Sequence, residues 1–474
     1  MKRHGILINR NSSVPLHRQL ESSLRNAILS GSLPAGERIV SSRELQTHLG
    51  LSRNTILDAL AQLHAEGYLV TTRGVGTFVA PHVHGLPAHE KSRPETPIVP
   101  STSADRYASM HGLAANLQGD APFRPGLPAL DLFPSAQLKR AFDASGWTPA
   151  VLDYPNAFGY EPLRAAIARR LQQTRGIVCS VDQILITGGA QAAFSLVARV
   201  MLDANDVAVI EDPGYSSVRA ILLARGAKIL AAPVDEAGID VSSFRKRRAK
   251  LAYVTPSHQY PTGAVLSLDR RLALLDWAAK NDGWIIEDDY DSEFNYTGRP
   301  QPALQGLGDG RRVIYVGTFS KVLSPALRIA YLVIPQSLRS SFEAVHQITH
   351  GPPSTIVQSA LARFMDDGHL SRHIAKMRRI YDQRRCCVSA ELEKVAGSVF
   401  RVRDSRAGLH FIAELPRNVR DADFSRRAAR QGIIVPALSS YFHGESTLNG
   451  IVVGYAATSI PDARRAVAAM VDAL

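Results

Sequence analysis

The chain has 474 residues, of which 45% are hydrophobic and 21% are charged, and these ordinary proportions exclude a disordered or fibrous chain. At roughly 100 to 200 residues per domain, the length predicts two or three domains. The net charge of +12 favours a polyanionic partner, and the three cysteines predict a reducing, cytoplasmic compartment without disulfides. Because the chain shows neither a secretory signal nor an apolar run of about 18 residues, no membrane association is expected.

The first 80 residues have the periodicity of a small helical domain. A first helix is indicated by apolar residues that recur every four positions, namely Leu16, Leu20, Leu24 and Ile28. Ser41 lies three residues before Glu44, which is the spacing of a capping box and predicts the start of a second helix. Ser52 predicts the start of a third helix, and this helix, short turn and helix are typical of a motif that enters the DNA major groove.

A two-stranded hairpin is predicted after the third helix. Its tip contains the glycines at 74 and 76, which can approach a DNA backbone closely because they lack side chains. Arg53 could donate two hydrogen bonds to a guanine, and Ser52 and Thr55 could bond phosphates or bases. Taken alone, these residues leave open a small helical domain whose charges are merely exposed.

Residues 81–119 predict a linker. They contain five prolines and no sustained period of 2 or 3.6 residues. We therefore expect a DNA-binding domain over residues 1–80, the linker over 81–119 and a large domain over 120–474.

The large domain alternates short β-branched runs with helical patterns. Strands are predicted at 184–186, 207–210, 251–254, 284–286 and 313–316, with helices such as 190–202 and 270–280 between them. This alternation predicts an α/β fold with a mostly parallel sheet and helices on both faces. In such folds, ligands bind beyond the carboxyl ends of the strands.

Several of these predicted strands end in polar or aromatic side chains. Residues 187–191 open a helix whose N–H groups can hold a phosphate, and Tyr215 could stack on a planar ligand or simply pack. Three consecutive acids at 287–289 are costly unless they face a cation or a protonated group. Lys321 closes the next strand, where a single lysine is more often a solvated surface residue. A lysine, a carboxylate, an aromatic ring and a phosphate cup are together what pyridoxal 5′-phosphate (PLP) requires.

The N-terminal motifs resemble the GntR-type winged helix over its whole length. The segments that carry the resemblance are 15–16, 31–36, 41–45, 51–55, 66–68 and 74–78, and Val40 stands where many members have proline. The resemblance implies binding to a duplex DNA operator. The positions that match the family's DNA-contacting residues are Arg43, Ser52, Arg53, Thr55 and Gly76.

Residues 120–474 resemble the fold-type I aminotransferases, which use PLP. The resemblance implies that Lys321 holds the cofactor as a Schiff base, that Asp288 pairs with its pyridine nitrogen and that Tyr290 bonds its 3′ oxygen. Further matches are Ala190, Gln191, Thr318, Ser320 and Arg328 around the phosphate, and Tyr215 on the ring. Tyr154 matches the tyrosine that these enzymes lend to the neighbouring subunit's cofactor, so a homodimer is implied.

The sequence departs from the aminotransferase pattern at two places. Tyr260, expected at the cofactor, replaces the asparagine that usually precedes the Pro-Thr-Gly segment. Near the C-terminus, residues 451–456 lack the arginine that relatives use to bind a substrate carboxylate. Arg403 or Arg406 could substitute for it.

A winged helix, a linker and an aminotransferase-like domain in one chain resemble the MocR-type transcriptional regulators. This resemblance implies a PLP-dependent DNA-binding protein at the bacterial nucleoid, with PLP as a sensing element. The signal is then PLP itself, in control of vitamin B6 supply, or an amine or amino acid that forms an external aldimine at Lys321. The alternatives are an active aminotransferase with an appended winged helix, and a repressor whose C-terminal domain only dimerises. No metal site is predicted.

Overall fold

The computed structural model describes residues 6, 8–83, 101–110, 119, 121–298, 302–308, 310–396, 399–403 and 406–474. The chain divides into two compact units, Met1–Val99 and Pro100–Leu474. No helix in these described ranges is long and apolar enough to cross a membrane.

The described part of the N-terminal unit contains three helices and a hairpin. The helices are α1 (Leu16–Leu29), α2 (Ser42–Leu49) and α3 (Arg53–Ala65), and the antiparallel strands are β1 (Leu69–Thr72) and β2 (Gly76–Val79). The apolar stripe predicted for α1 is buried, because Leu20, Leu24 and Ile28 pack in one core with apolar side chains of α3. This is a winged helix, as the sequence predicts.

Side-chain caps fix where α2 and α3 begin. The Ser41 hydroxyl accepts a hydrogen bond from the N–H of Glu44, and the Glu44 carboxylate accepts one from the N–H of Ser41. Ser52 caps α3 in a related way, with its Oγ 3.2 Å from the amide nitrogen of Thr55. The two predicted helix starts are therefore confirmed, and the turn between the helices is held at both ends.

The C-terminal unit is built on an eight-stranded, mostly parallel sheet in the order β3-β10-β9-β8-β7-β4-β5-β6. The strands are β3 (Ile184–Thr187), β4 (Val207–Asp212), β5 (Lys228–Asp235), β6 (Gly238–Ile239), β7 (Leu251–Val254), β8 (Trp284–Asp289), β9 (Val313–Thr318) and β10 (Ala330–Val333). The antiparallel pairs are β10 with both of its neighbours, and β5 with β6. All five predicted strands are present, whereas β5, β6 and β10 were not predicted.

Helices cover both faces of this sheet. The α-helices of the described part of this unit are, in chain order, α4 (Thr102–Ser109), α5 (Ser135–Ala144), α6 (Pro149–Leu152), α7 (Glu161–Arg175), α8 (Ala190–Met201), α9 (Ser216–Ala224), α10 (Leu268–Lys280), α11 (Leu304–Leu307), α12 (Arg339–Thr349), α13 (Thr355–Asp366), α14 (His369–Ala396), α15 (Asp421–Arg430) and α16 (Ile460–Asp472). Alternate residues of one strand face different cores: Tyr253 packs with Phe194 of α8, and Ala252 packs with Trp277 of α10. This two-faced burial explains why the central strands read as continuous apolar runs.

A second, three-stranded antiparallel sheet follows α14. Its strands are β11 (Arg401–Arg403), β12 (His410–Glu414) and β13 (Gly450–Gly454), in that order. The segment before α5 joins this sheet, because the N–H of Gly454 donates to the carbonyl of Phe123 over 2.8 Å.

The predicted linker contains regular structure. Helix α4 lies within residues 81–119 and contacts α9. Its start is capped by Ser101, whose Oγ accepts from the N–H of Ala104. The prolines that suggested a linker all precede this helix.

Candidate functional site

The carboxyl ends of the central strands open into one cavity of about 310 Å³. It brings together the predicted cofactor residues Ala190, Gln191, Tyr215, Tyr260, Asp288, Tyr290, Thr318, Ser320, Lys321 and Arg328. These side chains come from five separate chain segments. Tyr154 lies outside the cavity and is 98% exposed.

Lys321 is held in place from the opposite wall of the cavity. Its Nζ donates a 2.7 Å hydrogen bond to the carbonyl of Gly126. Burial lowers the pKa of Lys321, although Asp291 and Asp288 oppose this shift. A lowered pKa increases the fraction of neutral amine, which is the form that attacks an aldehyde.

Asp288 is the acid of the cavity. It is buried at the end of β8, and the Tyr253 hydroxyl donates to its Oδ2 over 2.6 Å. Burial raises the pKa of Asp288 to about 7, with the hydrogen bond from Tyr253 acting in the opposite direction. A protonated ring nitrogen beside it would favour the ionised carboxylate. Tyr253 has no role in the sequence prediction, because it reads as one more apolar strand residue.

The other two acids of the predicted cluster face away from the cavity. Glu287 accepts hydrogen bonds from the N–H groups of Leu304 and Gln305, at 2.8 and 3.0 Å. Asp289 lies 2.7 Å from the guanidinium of Arg175, and both side chains are almost fully buried. The three consecutive acids thus have three different partners, which leaves Asp288 alone to serve the cavity.

A buried histidine lies next to Tyr290. The Tyr290 hydroxyl donates to the carbonyl of His258 over 2.9 Å and also lies 3.1 Å from the ring Nδ1 of His258. This Nδ1 is 3.0 Å from a carboxylate oxygen of Asp291. Among the described residues, His258, Asp291 and His410 are the one group that places three ligand-type atoms within 4.8 Å of one another. His258 lies two residues before Tyr260 in the sequence, which does not show that it contacts Tyr290.

The N-terminus of α8 forms a cup for an anion. Gly189 precedes α8 with φ of +106°, and a Cβ added there would lie 3.2 Å from the guanidinium carbon of Arg328. A larger residue at 189 would therefore displace the arginine. Free helix N–H groups and a guanidinium at one point are suited to a phosphate. The cavity thus contains an anion cup, an amine and a buried acid, and these residues fit PLP.

Aromatic and apolar side chains form the wall where a carboxylate fork is expected. The hydroxyls of Tyr260 and Tyr441 lie 3.0 Å apart, and the Tyr215 and Tyr260 rings meet edge to face. Val452 is fully buried in an apolar cluster with Tyr441. Neither proposed substitute lines the cavity, since Arg403 lies 2.5 Å from Glu414 and Arg406 borders a separate surface depression. Arg124, which no sequence motif indicates, does line it.

The predicted DNA-contacting residues lie on the helix-turn-helix and the hairpin. Arg43 is in the first turn of α2, and Arg53 is the first residue of α3. Both are exposed, and their guanidinium groups have no hydrogen-bond or ion-pair partner in the described part of the chain. The Ser52 and Thr55 hydroxyls lie 2.7 Å apart. Gly76 begins β2, and a Cβ there would come within 2.7 Å of the Arg38 side chain.

Two family models divide the chain at the same places as the fold. The model for aminotransferase class I and II matches residues 129–468, and the model for the GntR family of bacterial regulatory proteins matches residues 16–79. The protein therefore joins a GntR-type winged helix to a fold-type I aminotransferase domain, a fold whose family depends on PLP.

The chain is similar to regulators along nearly its whole length. It is 35% identical over 455 residues to the probable rhizopine catabolism regulatory protein MocR of Rhizobium meliloti, covering 95% of this chain and 92% of that protein. It is 34% identical over 472 residues to the HTH-type pyridoxine biosynthesis transcriptional regulator PdxR of Corynebacterium glutamicum, covering 99% and 98%. This chain belongs to the MocR-type family of HTH-type transcriptional regulators.

Among solved structures, the chain is similar to LysN, the α-aminoadipate aminotransferase of Thermus thermophilus. The TM-score is 0.71 at 26% identity, and the match covers 79% of this chain and 96% of that one. That structure is a complex with N-(5′-phosphopyridoxyl)-L-leucine.

We predict that Arg175→Met destabilises the C-terminal unit. Removing one partner leaves Asp289 as an uncompensated buried charge, which costs about 3–5 kcal/mol in the free energy of unfolding. Denaturant titration followed by tryptophan fluorescence measures this, because all three tryptophans lie beyond residue 100. The control is Arg169→Met, whose pair with Asp366 is exposed and contributes about 0–1 kcal/mol. Equal losses in the two variants would contradict the prediction.

Proposed function

We propose that this protein is a transcription regulator that binds PLP at Lys321 and uses that cavity to sense its signal. The observation that carries the proposal is the convergence of Lys321, Asp288 and Arg328 on one cavity. PLP, when bound, supplies an aldehyde and an electron-poor ring that react with primary amines. The similarity in fold to LysN does not imply the same activity, because a fold alone does not fix function.

Each predicted residue then has a defined task. Lys321 provides the amine that binds the cofactor, and Asp288 holds a proton at the pyridine nitrogen. Tyr290 bonds the 3′ oxygen. Residues assigned to the phosphate are Ala190, Gln191, Thr318, Ser320 and Arg328, and those assigned to the ring are Tyr215 and Tyr260. Tyr154 would serve the cavity of the second subunit in a homodimer.

Regulation requires that the ligand bind two arrangements of the protein with different affinities. The signal is PLP itself or an amine or amino acid that reacts with bound PLP. The similarity to PdxR, named for pyridoxine biosynthesis, supports the first choice, and the PLP–leucine adduct in LysN supports the second.

Replacing the lysine tests the cofactor assignment. Lys321→Ala should abolish the absorbance band of lysine-bound PLP and the covalent label that borohydride fixes on the protein, because no amine remains at that position. Lys228→Ala, which removes an exposed lysine of β5, should leave both unchanged. A wild-type protein that gains no band with added PLP would refute the assignment. Sustained conversion of amino and keto acids by the wild type would instead indicate an aminotransferase.

Two arginines of the N-terminal unit should differ in their effects on operator binding. Arg53→Ala should cost about 1–3 kcal/mol at one base position, because a base contact is lost. Arg43→Ala should weaken binding to all sequences, because a phosphate contact is lost. The slope of the logarithm of the binding constant against the logarithm of the salt concentration should fall by about 1 in magnitude. Titrations with matched and mutated operators at several salt concentrations measure both effects, and Arg18→Ala serves as the control. Binding that survives deletion of residues 1–80 would be inconsistent with this role.

Exposed apolar side chains near Tyr154 support a homodimer. Trp147 is 64% exposed, and Leu152 is also exposed. Trp147→Asp should weaken the dimer about tenfold or more, since it places a charge in an apolar interface. Val178→Asp, which alters another exposed apolar residue, should leave the dimer unchanged. Analytical ultracentrifugation measures the dissociation of the dimer for the two variants and the wild type. A wild type that stays monomeric would exclude the dimer.

A further inference from the structure

Arg124 lies beside the amine of the cavity. It belongs to the segment before α5, and two residues later the carbonyl of Gly126 accepts the hydrogen bond from the Lys321 Nζ. Arg124 and Lys321 both line the cavity. A ligand whose amine reaches Lys321 therefore lies close to the Arg124 segment.

The guanidinium of Arg124 has no acidic partner in the described part of the chain. It donates a 2.9 Å hydrogen bond from Nη1 to the carbonyl of Gly119, which leaves most of its donors unused. Some half-buried or buried arginines of this unit, such as Arg175 and Arg270, pair with carboxylates, whereas Arg271 donates to three backbone carbonyls. Arg124 has neither kind of full partner set, so its unused donors can bind an anionic ligand.

The charges that line the cavity leave Arg124 unmatched after PLP is placed. These charged residues are Arg124, Asp288, Lys321 and Arg328. Arg328 and the N-terminus of α8 suit the phosphate, Asp288 suits the pyridine nitrogen, and Lys321 suits the aldehyde. Arg124 is the one of these four residues to which no group of PLP is assigned.

The Arg124 segment also takes the place next to the strand that lacks the expected arginine. The N–H of Gly454 in β13 donates to the carbonyl of Phe123, and a Cβ added at Gly454 would overlap the carbonyl oxygen of Arg124. Val452, on the same strand, is buried among apolar side chains. The cation is thus absent from β13 but present on the segment that packs against its end.

We propose that Arg124 binds the acid group of the effector, so that the effector is an amino acid and not PLP alone. The proposal rests on the proposed function, because the amine of the same ligand must reach PLP at Lys321. A guanidinium binds a carboxylate through two parallel hydrogen bonds, which selects amino acids over simple amines. Arg124 is accordingly a specificity-determining residue of the cavity.

The test compares amino acids with the amine that remains when their acid group is removed. PLP-loaded full-length protein is titrated with L-alanine, with β-alanine and with ethylamine, and the change in the PLP absorbance band gives each Kd. Operator affinity is measured in parallel. The wild type should bind at least one of the two amino acids about tenfold or more tightly than ethylamine, since a charge-assisted contact is worth this much.

Three variants separate the role of Arg124 from a structural one. Arg124→Gln should lose the preference for the amino acid, with ethylamine binding changed less than about twofold, because only the acid group loses its partner. Arg124→Lys should restore part of the preference, since it keeps the charge without the fork. Arg403→Gln, which alters an arginine outside the cavity, should behave as the wild type. Each variant must first show the wild-type PLP band and melting temperature.

The outcomes distinguish this inference from the proposed function. Failure of the wild type to take up PLP would overturn the proposed function itself. PLP uptake with equal binding of amino acids and ethylamine, or an unchanged preference in Arg124→Gln, would overturn the role of Arg124 alone. A change in operator affinity caused by PLP, with no response to either amino acid, would assign the signal to PLP and also overturn this inference.

Discussion

The burial of charge at the end of β8 is the constraint on which the cavity depends. Three consecutive acids cannot share one low-dielectric site, and each is matched by a different partner: backbone N–H groups for Glu287, the Tyr253 hydroxyl for Asp288 and the guanidinium of Arg175 for Asp289. Each of the three acids at the end of β8 is thus held by its own partner. Asp288 is therefore presented to the cavity as one buried acid instead of one member of a repelling cluster.

The remaining parts of the site arise from where parallel strands end. Because β4, β7, β8 and β9 run in the same direction, residues far apart in sequence meet at one edge of the sheet. The anion cup at α8, the amine after β9 and the acid of β8 thus meet in one cavity, although no single sequence motif contains all three. The same geometry supports enzymes and regulators, since what it provides is a binding site for a reactive cofactor.

The wall opposite this edge shows how a shared fold is adapted. Tyr260 and Tyr441 give the cavity an aromatic surface, and Val452 lies buried in the apolar cluster that contains Tyr441. Arg124 lines the same cavity and lies on a segment that packs against β13. A regulator needs a ligand that stabilises one arrangement of the protein. A separate cation for the ligand's acid group can select that ligand even when the cavity completes no reaction.

The winged helix, the five central strands and the cavity residues that follow them could be predicted from the sequence, because caps, strand periods and strand-end motifs are local signals. The strands β5, β6 and β10 and helix α4 were not predicted, because their segments lack a clear period of their own. Likewise, no local signal indicates that Tyr253 bonds Asp288, that His258 contacts Tyr290 or that Arg124 lines the same cavity as Lys321. Each of these contacts joins residues whose distance in sequence carries no information about their distance in space, so packing alone could reveal them.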